Sequence, residues 1–172
     1  IDHIVYLANT SGVKVGITRG SQVPTRWMDQ GATQAKPIFR VDSRHHSGMV
    51  EVLFKQRVAD RTNWQAMLKG DAADLDLEQV RLDLLADCRD DLDGLRERHG
   101  LQAITELEDA DETHIRYPVT SYPEKVKSLN LDKTPTIGGT LAGIKGQYLI
   151  FDTGVINIRK YGGYNLTLSL ES

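Results

Sequence analysis

Ile4-Val5-Tyr6-Leu7-Ala8-Asn9-Thr10-Ser11-Gly12-Val13-Lys14-Val15-Gly16-Ile17-Thr18 decides the fold of the first third of the chain. A short apolar run and an alternating run flank Asn9-Thr10-Ser11-Gly12, which has the residue chemistry of a tight turn, so the stretch reads as a β-hairpin. Downstream, Pro24 suits a first helical turn, and Thr25 to Gln30 read as a short helix stopped by Gly31. Ile38 to Val41 read as a third strand. Met49, Val50, Leu53, Phe54 and Val58 recur at helical spacing within Ser43 to Ala59. Asp60 or Thr62 is placed to cap a further short helix carrying Asn63, Trp64, Met67 and Leu68. The first 68 residues are thus expected to form an α+β unit of order β-β-α-β-α-α.

The middle predicts one long amphipathic helix. Leu77, Val80, Leu84, Cys88, Leu92 and Leu95 step by three or four residues and draw one apolar stripe. Asp74, Asp76 and Glu78 crowd its start, which favours the helix dipole, and His99-Gly100 close it. Cys88 lies on the stripe and reads as a small core residue. The last third predicts strands at 140–144, 147–152, 155–159 and 164–170, broken by Lys145-Gly146, Thr153-Gly154 and Gly162-Gly163. A C-terminal antiparallel β-meander or partial barrel packed on the long helix is expected. The organisation read from the sequence is 1–70, an acidic helical segment 71–115, and a small β domain 116–172.

The 172 residues are 40% apolar and 26% charged, with one cysteine and a net charge of −3. No apolar run approaches the ~20 residues of a membrane span, so no membrane partner is expected. The lone cysteine excludes an internal disulfide framework or a cysteine-built zinc site and makes the cytoplasm the default compartment. The abrupt start at Ile1 suggests a chain cut from something longer. The net charge hides an asymmetry. Residues 1–65 hold nine Lys/Arg against five Asp/Glu, residues 66–115 five against fifteen, and residues 116–172 seven against four. Acidity is therefore confined to the helical middle, where it suits a basic protein partner, and both ends are mildly basic.

Phosphate-loop, dinucleotide, His-Glu-x-x-His and Gly-x-Ser-x-Gly signatures are missing. His45 and His46 are adjacent, so they point to different sides of a helix and read as solvated or phosphate-facing. Asp109-Ala110-Asp111-Glu112 reads as a solvated turn. What stands out is a set spread over 63 residues: Tyr6 on the first strand, Lys14-Val15-Gly16-Ile17-Thr18 on the second, Arg26 on the short helix, Glu51 on the next, and Asn63 twelve residues later. In this order the sequence resembles the GIY-YIG nuclease superfamily, in which a metal-binding glutamate is followed twelve residues later by an asparagine. Lys14 stands where that pattern usually has its second tyrosine, and Gln30 where active members often have His or Tyr. The stretches Val5 to Ala8, Val15 to Arg19, Thr25 to Ala32, Asp60 to Trp64, Gly143 to Tyr148 and Asn157 to Lys160 also resemble an uncharacterised bacterial family whose members carry a cysteine-containing N-terminal extension.

The resemblance implies a hydrolase acting on phosphodiester bonds, an endonuclease with Tyr6, Lys14, Arg26, Glu51 and Asn63 as catalytic residues. Glu51 would hold Mg²⁺ or Mn²⁺ through oxygen, and Arg26 offers a fork of donors to phosphate. The ligand would be nucleic acid, DNA rather than RNA. Thr18, Arg19, Lys36, Arg40, Arg44, His45, His46, Lys145, Arg159 and Lys160 would line the basic margins, with Tyr148, Tyr161 and Tyr164 available to stack on bases. A non-catalytic nucleic-acid-binding module using the same groove, and a protein-interaction or regulatory domain, are the alternatives.

Overall fold

The computed structural model describes residues 1–171 and is a mixed α+β fold. Strands β1 (His3–Asn9) and β2 (Val13–Arg19) form the expected hairpin, with Tyr6 paired to Gly16 and Leu7 to Val15. Helix α1 (Thr25–Asp29) follows, then β3 (Gln34–Val41), which pairs antiparallel with the other edge of β1. Helices α2 (Arg44–Phe54), α3 (Trp64–Met67) and α4 (Leu77–His99) complete the helical set. Two short strands, β4 (Ile104–Glu106) and β5 (Thr113–His114), then return to pair with β3. The sheet order is β2-β1-β3-β4, with β5 also on β3. β1 is paired along both edges, and each of its faces is covered by a separate apolar cluster. That explains why Val5, Tyr6, Leu7 and Ala8 are all buried rather than alternating with exposed residues.

Alternation still decides which side each residue serves. Val5 and Leu7 join Val15, Phe39, Val50, Phe54 and the α4 stripe in one core. Tyr6 and Ala8 face the other way, onto Trp27, Ala32 and Ala35. The α4 stripe is buried as expected, Cys88 included. Asp76 caps the helix by accepting from the Gln79 N–H at 2.9 Å, a contact of about 1 kcal/mol. Arg81 is an unforeseen member of the buried face. It donates to Glu78 at 2.6 and 3.0 Å and to Glu106 at 2.9 Å, tying α4 to β4. The turn at 109–112 is less solvated than its composition suggests: the Ala110 carbonyl accepts from Lys36, and Glu112 accepts from Gln34 at 2.6 Å.

The C-terminal sheet is an open meander of β6 (Leu141–Lys145), β7 (Tyr148–Phe151) and β8 (Gly154–Asn157), with no closed barrel. Three expectations fail here. Residues 164–170 form no strand, because Lys127 and Leu129 already occupy the outer edge of β8, each bonded to Val155 at 2.8 Å. The expected strand at 155–159 also stops at Asn157 and turns into a 3-10 segment, Ile158–Tyr161. The meander does not pack on α4. Ile150 and Val155 close on Met67 and Leu68 instead, and the β6–β7 turn seats Gly146 against α1. A Cβ at Gly146 would stand 3.1 Å from the Asp29 carbonyl, and its φ of +60° suits glycine.

Candidate functional site

The site is built around the hairpin. Tyr6 is fully buried, and its ring lies across Gly16, its partner on β2. A Cβ at Gly16 would sit 2.6 Å from both Cζ and the hydroxyl of Tyr6, so glycine is what lets the ring lie there. The edge of Trp27 holds the ring at 5.9 Å between centroids. The hydroxyl donates to Gln30 Oε1 at 3.0 Å. Burial raises the phenol pKa. The Gln30 hydrogen bond and the Arg26 guanidinium oppose that rise, and the Glu51 carboxylate adds to it. Tyr6 therefore keeps its proton at neutral pH and serves as a donor.

Lys14 is 6% exposed and has no ion-pair or hydrogen-bond partner among the described residues. The chain from α2 to α3 runs beside it, bonded through Val15 N–H to the Ala59 carbonyl at 2.8 Å. Burial lowers its pKa, Arg26 lowers it further, and Asp60 and Glu51 push the other way. Lys14, Arg26, Glu51 and Tyr6 thus feel one another's charge. Arg26, on α1, is exposed; Glu51, on α2, is half-buried, and neither has an ion-pair partner among the described residues. Asp60 belongs to the same field, although the sequence reading gave it only a capping role. Its acidic side chain directly after the segment that pairs with β2 was the available signal.

A charged, desolvated Lys14 destabilises the fold. Lys14→Met is expected to raise stability by about 1 kcal/mol in urea unfolding at pH 7. Because the folded-state pKa is lowered, that advantage should shrink as pH rises toward 10.5, the ordinary lysine value. An unchanged or reduced urea midpoint would show that Lys14 is compensated in the native chain.

Asn63 serves as a helix cap. Its Oδ1 accepts from Ala66 N–H at 3.1 Å as the N-cap of α3, the role the sequence reading gave to Asp60 or Thr62. Its backbone N–H donates to Ser11 Oγ at 2.8 Å. Among the expected basic margins, two residues lie inside. Lys36 is 7% exposed, bonded to the Ala110 carbonyl and paired with Glu78 at 3.3 Å. Lys145 is fully buried, with Nζ 2.8 Å from Asp71, 3.1 Å from the Gly70 carbonyl, and over the Tyr117 and Tyr122 rings. Both are internal ties, each held by a carboxylate and a backbone carbonyl. Arg159 is engaged with Asp29 at 3.2 Å, and Lys160 lies over Tyr161. Arg19, Arg40 and Arg44 are exposed, and Arg40 has only a loose 4.0 Å contact with Asp2. Thr18 is buried. His45 is exposed, whereas His46 Nδ1 is held by Asp42 at 2.6 Å. Tyr148 is stacked on Trp64 at 5.6 Å, Tyr161 is buried, and Tyr164 donates to Asp132.

A divalent cation fits this donor set in one way only. No cluster of three or more His, Cys, Asp or Glu suited to a metal occurs among the described residues. Glu51 has no hydrogen-bond or ion-pair partner for its side chain among the described residues, and Mg²⁺ accepts one or two carboxylates when water and phosphate complete its shell. Glu51 is the residue that would hold it.

Fold and site together define an α+β protein with a four-residue polar cluster at a β-hairpin, two of whose cations have no direct ion-pair partner among the described residues. The chain belongs to the family described as protein of unknown function (DUF2797), which matches residues 1–166. No curated protein and no solved structure matches the chain.

Proposed function

We propose that the cluster of Tyr6, Lys14, Arg26 and Glu51 binds a phosphodiester of nucleic acid and hydrolyses it with a divalent cation, in the manner of a GIY-YIG-type endonuclease. The observation that carries this reading is Lys14: a nearly buried cation without a counter-ion, beside a second unpaired cation, Arg26. Such a pair is unfavourable until an anion arrives, and a phosphate supplies the missing charge. Arg26 would grip two phosphate oxygens through its fork while Lys14 acts as a point charge on the developing oxyanion. The protonated Tyr6 hydroxyl, steadied by Gln30, would orient the attacking water or the phosphate by hydrogen bonding. The cation would supply Lewis-acid activation and neutralise charge in the transition state, with Glu51 as its protein ligand.

The test is incubation with branched and single-stranded DNA and RNA plus Mg²⁺ or Mn²⁺, beside Glu51→Ala. Cleavage that falls at least about a hundredfold in the variant supports the reading. No cleavage by the native chain, or equal cleavage by both, sinks it. One observation favours a second reading, a nucleic-acid-binding module without turnover: the Tyr6 hydroxyl is committed to Gln30, which cannot take a proton. Salt-sensitive binding that survives Glu51→Ala and weakens in Arg26→Ala, with no cleavage, would select it.

A further inference from the structure

A second recess opens at the far end of the hairpin. It has a volume of about 350 Å³ and is lined by Ile1, His3, Ile17, Thr18, Arg19 and Arg44. His3 and Arg19 are directly paired across β1 and β2, so their side chains leave the same face of the sheet. Arg44 is the first residue of α2, an eleven-residue helix capped by Ser43 Oγ on His46 N–H at 3.1 Å. The recess is therefore walled on one side by the positive end of a helix. His3 lies on the Val5 and Leu7 face, yet it is a polar residue left only 8% exposed. Its Nδ1 is enclosed with no hydrogen-bond partner, which leaves Nε2 as the ring nitrogen able to meet a ligand. Neither Arg19 nor Arg44 has an ion-pair partner among the described residues.

A buried histidine without a partner, two unpaired guanidinium groups and a helix N-terminus are all donors or positive charge, and no carboxylate lines the recess. That combination selects an anion with several acceptor oxygens. Arg44 also connects the recess to the proposed reaction site. Its guanidinium lies over Gly48, 3.3 Å from where a Cβ there would be, and Arg44 and Glu51 line one groove along α2. They are seven positions apart on the helix, roughly 10 Å of rise.

We propose that this recess binds a phosphate group, and that it takes a neighbouring phosphate of the strand whose scissile group meets Lys14, Arg26 and Glu51. The anion site stands on its own residues, whereas its place on a strand rests on the function proposed above. Arg19 and Arg44 are both at the surface, so the double variant Arg19→Gln/Arg44→Gln should fold. Fluorescence anisotropy with a labelled single-stranded oligonucleotide across a salt series is the first measurement. The double variant is expected to bind about tenfold more weakly at low salt, with the slope of log affinity against log salt reduced by about 1.4.

Inorganic phosphate is the second probe. At millimolar concentration it should raise the melting temperature of the native chain, and by clearly less that of the double variant, which keeps only the Lys14 and Arg26 site. Phosphate protection that shrinks in the double variant, with unaltered oligonucleotide binding, would place a free phosphate or phosphomonoester here and overturn the strand assignment. Unaltered binding and equal protection of native chain and double variant would overturn the anion site outright. Failure of the hydrolysis reading looks different: the native chain would bind with the expected slope and cut nothing, and the recess would stand.

Discussion

Arg81→Met is expected to lower the stability of the chain by about 3 kcal/mol. Arg81 is 5% exposed and satisfies two carboxylates at once, forking onto Glu78 and reaching Glu106 at 2.9 Å. Methionine fills much of the same volume, so packing loss is small and the cost is the charge left behind. Glu106 is mostly enclosed, and its remaining cation, Arg96, is 3.9 Å away. Glu78 is half in solvent and retains Lys36, which places the expected effect at the lower end of the range for breaking a buried pair. The pH profile provides an independent reading. The Arg81 hydrogen bonds hold the Glu78 carboxyl down at about 2, so its contribution is present above the usual 4.5 and is lost as pH falls toward 2. Arg81→Met should flatten that acid limb. A urea midpoint equivalent to less than 1 kcal/mol, or an unchanged acid limb, would mean that the network does not hold α4 to β4.

The second large effect lies in the site. Gly16→Ala is expected to cost about 2 to 3 kcal/mol and to dislodge the Tyr6 hydroxyl. The added methyl would overlap Cζ and the hydroxyl at 2.6 Å, and Tyr6 has no free space in which to retreat. Trp27 stands against the ring and Gln30 holds the hydroxyl. Shortening the opposing side chain should relieve the overlap, so Gly16→Ala combined with Tyr6→Leu is expected to be less destabilised than the sum of the two single changes. Strict additivity in urea unfolding would show that the two residues do not press on one another.

These two residues also mark what the sequence could convey. The Tyr6 and Gly16 pairing follows from the hairpin register, which the turn at Asn9 to Gly12 and the apolar alternation specify together. Arg81 gave no such signal, because a lone arginine one position from an apolar stripe looks like the edge of a solvated face. Its burial depends on Glu106, 25 residues away, and on β4, whose three residues are too few to carry a periodic pattern. Lys36 and Lys145 misled for the same reason. Each looks like a surface cation until its distant carbonyl or carboxylate is brought to it, from Ala110 and Glu78 in one case and Asp71 in the other.

Residues 164–170 show the opposite error. Their alternating leucines satisfy a strand pattern, and Leu166, Leu168 and Leu170 remain 56%, 84% and 88% exposed. Alternation states only that a segment can pair. Whether an edge is open to it is a property of the assembled sheet, and here residues 127–129 reach that edge first.

By itself the sequence determined the elements with strong local periodicity: the hairpin, the β3 core, α2 and the α4 stripe, together with the order Tyr6, Lys14, Arg26, Glu51. Spacing and turn chemistry act within a few residues, so the chain carries them explicitly. Only the tertiary structure decided that β1 is central, that the meander braces α1 and α3 rather than α4, and which cations remain unpaired. Burial and charge pairing depend on partners tens of residues away, and that is why Lys14 stands without a counter-ion while Lys36 and Lys145 do not.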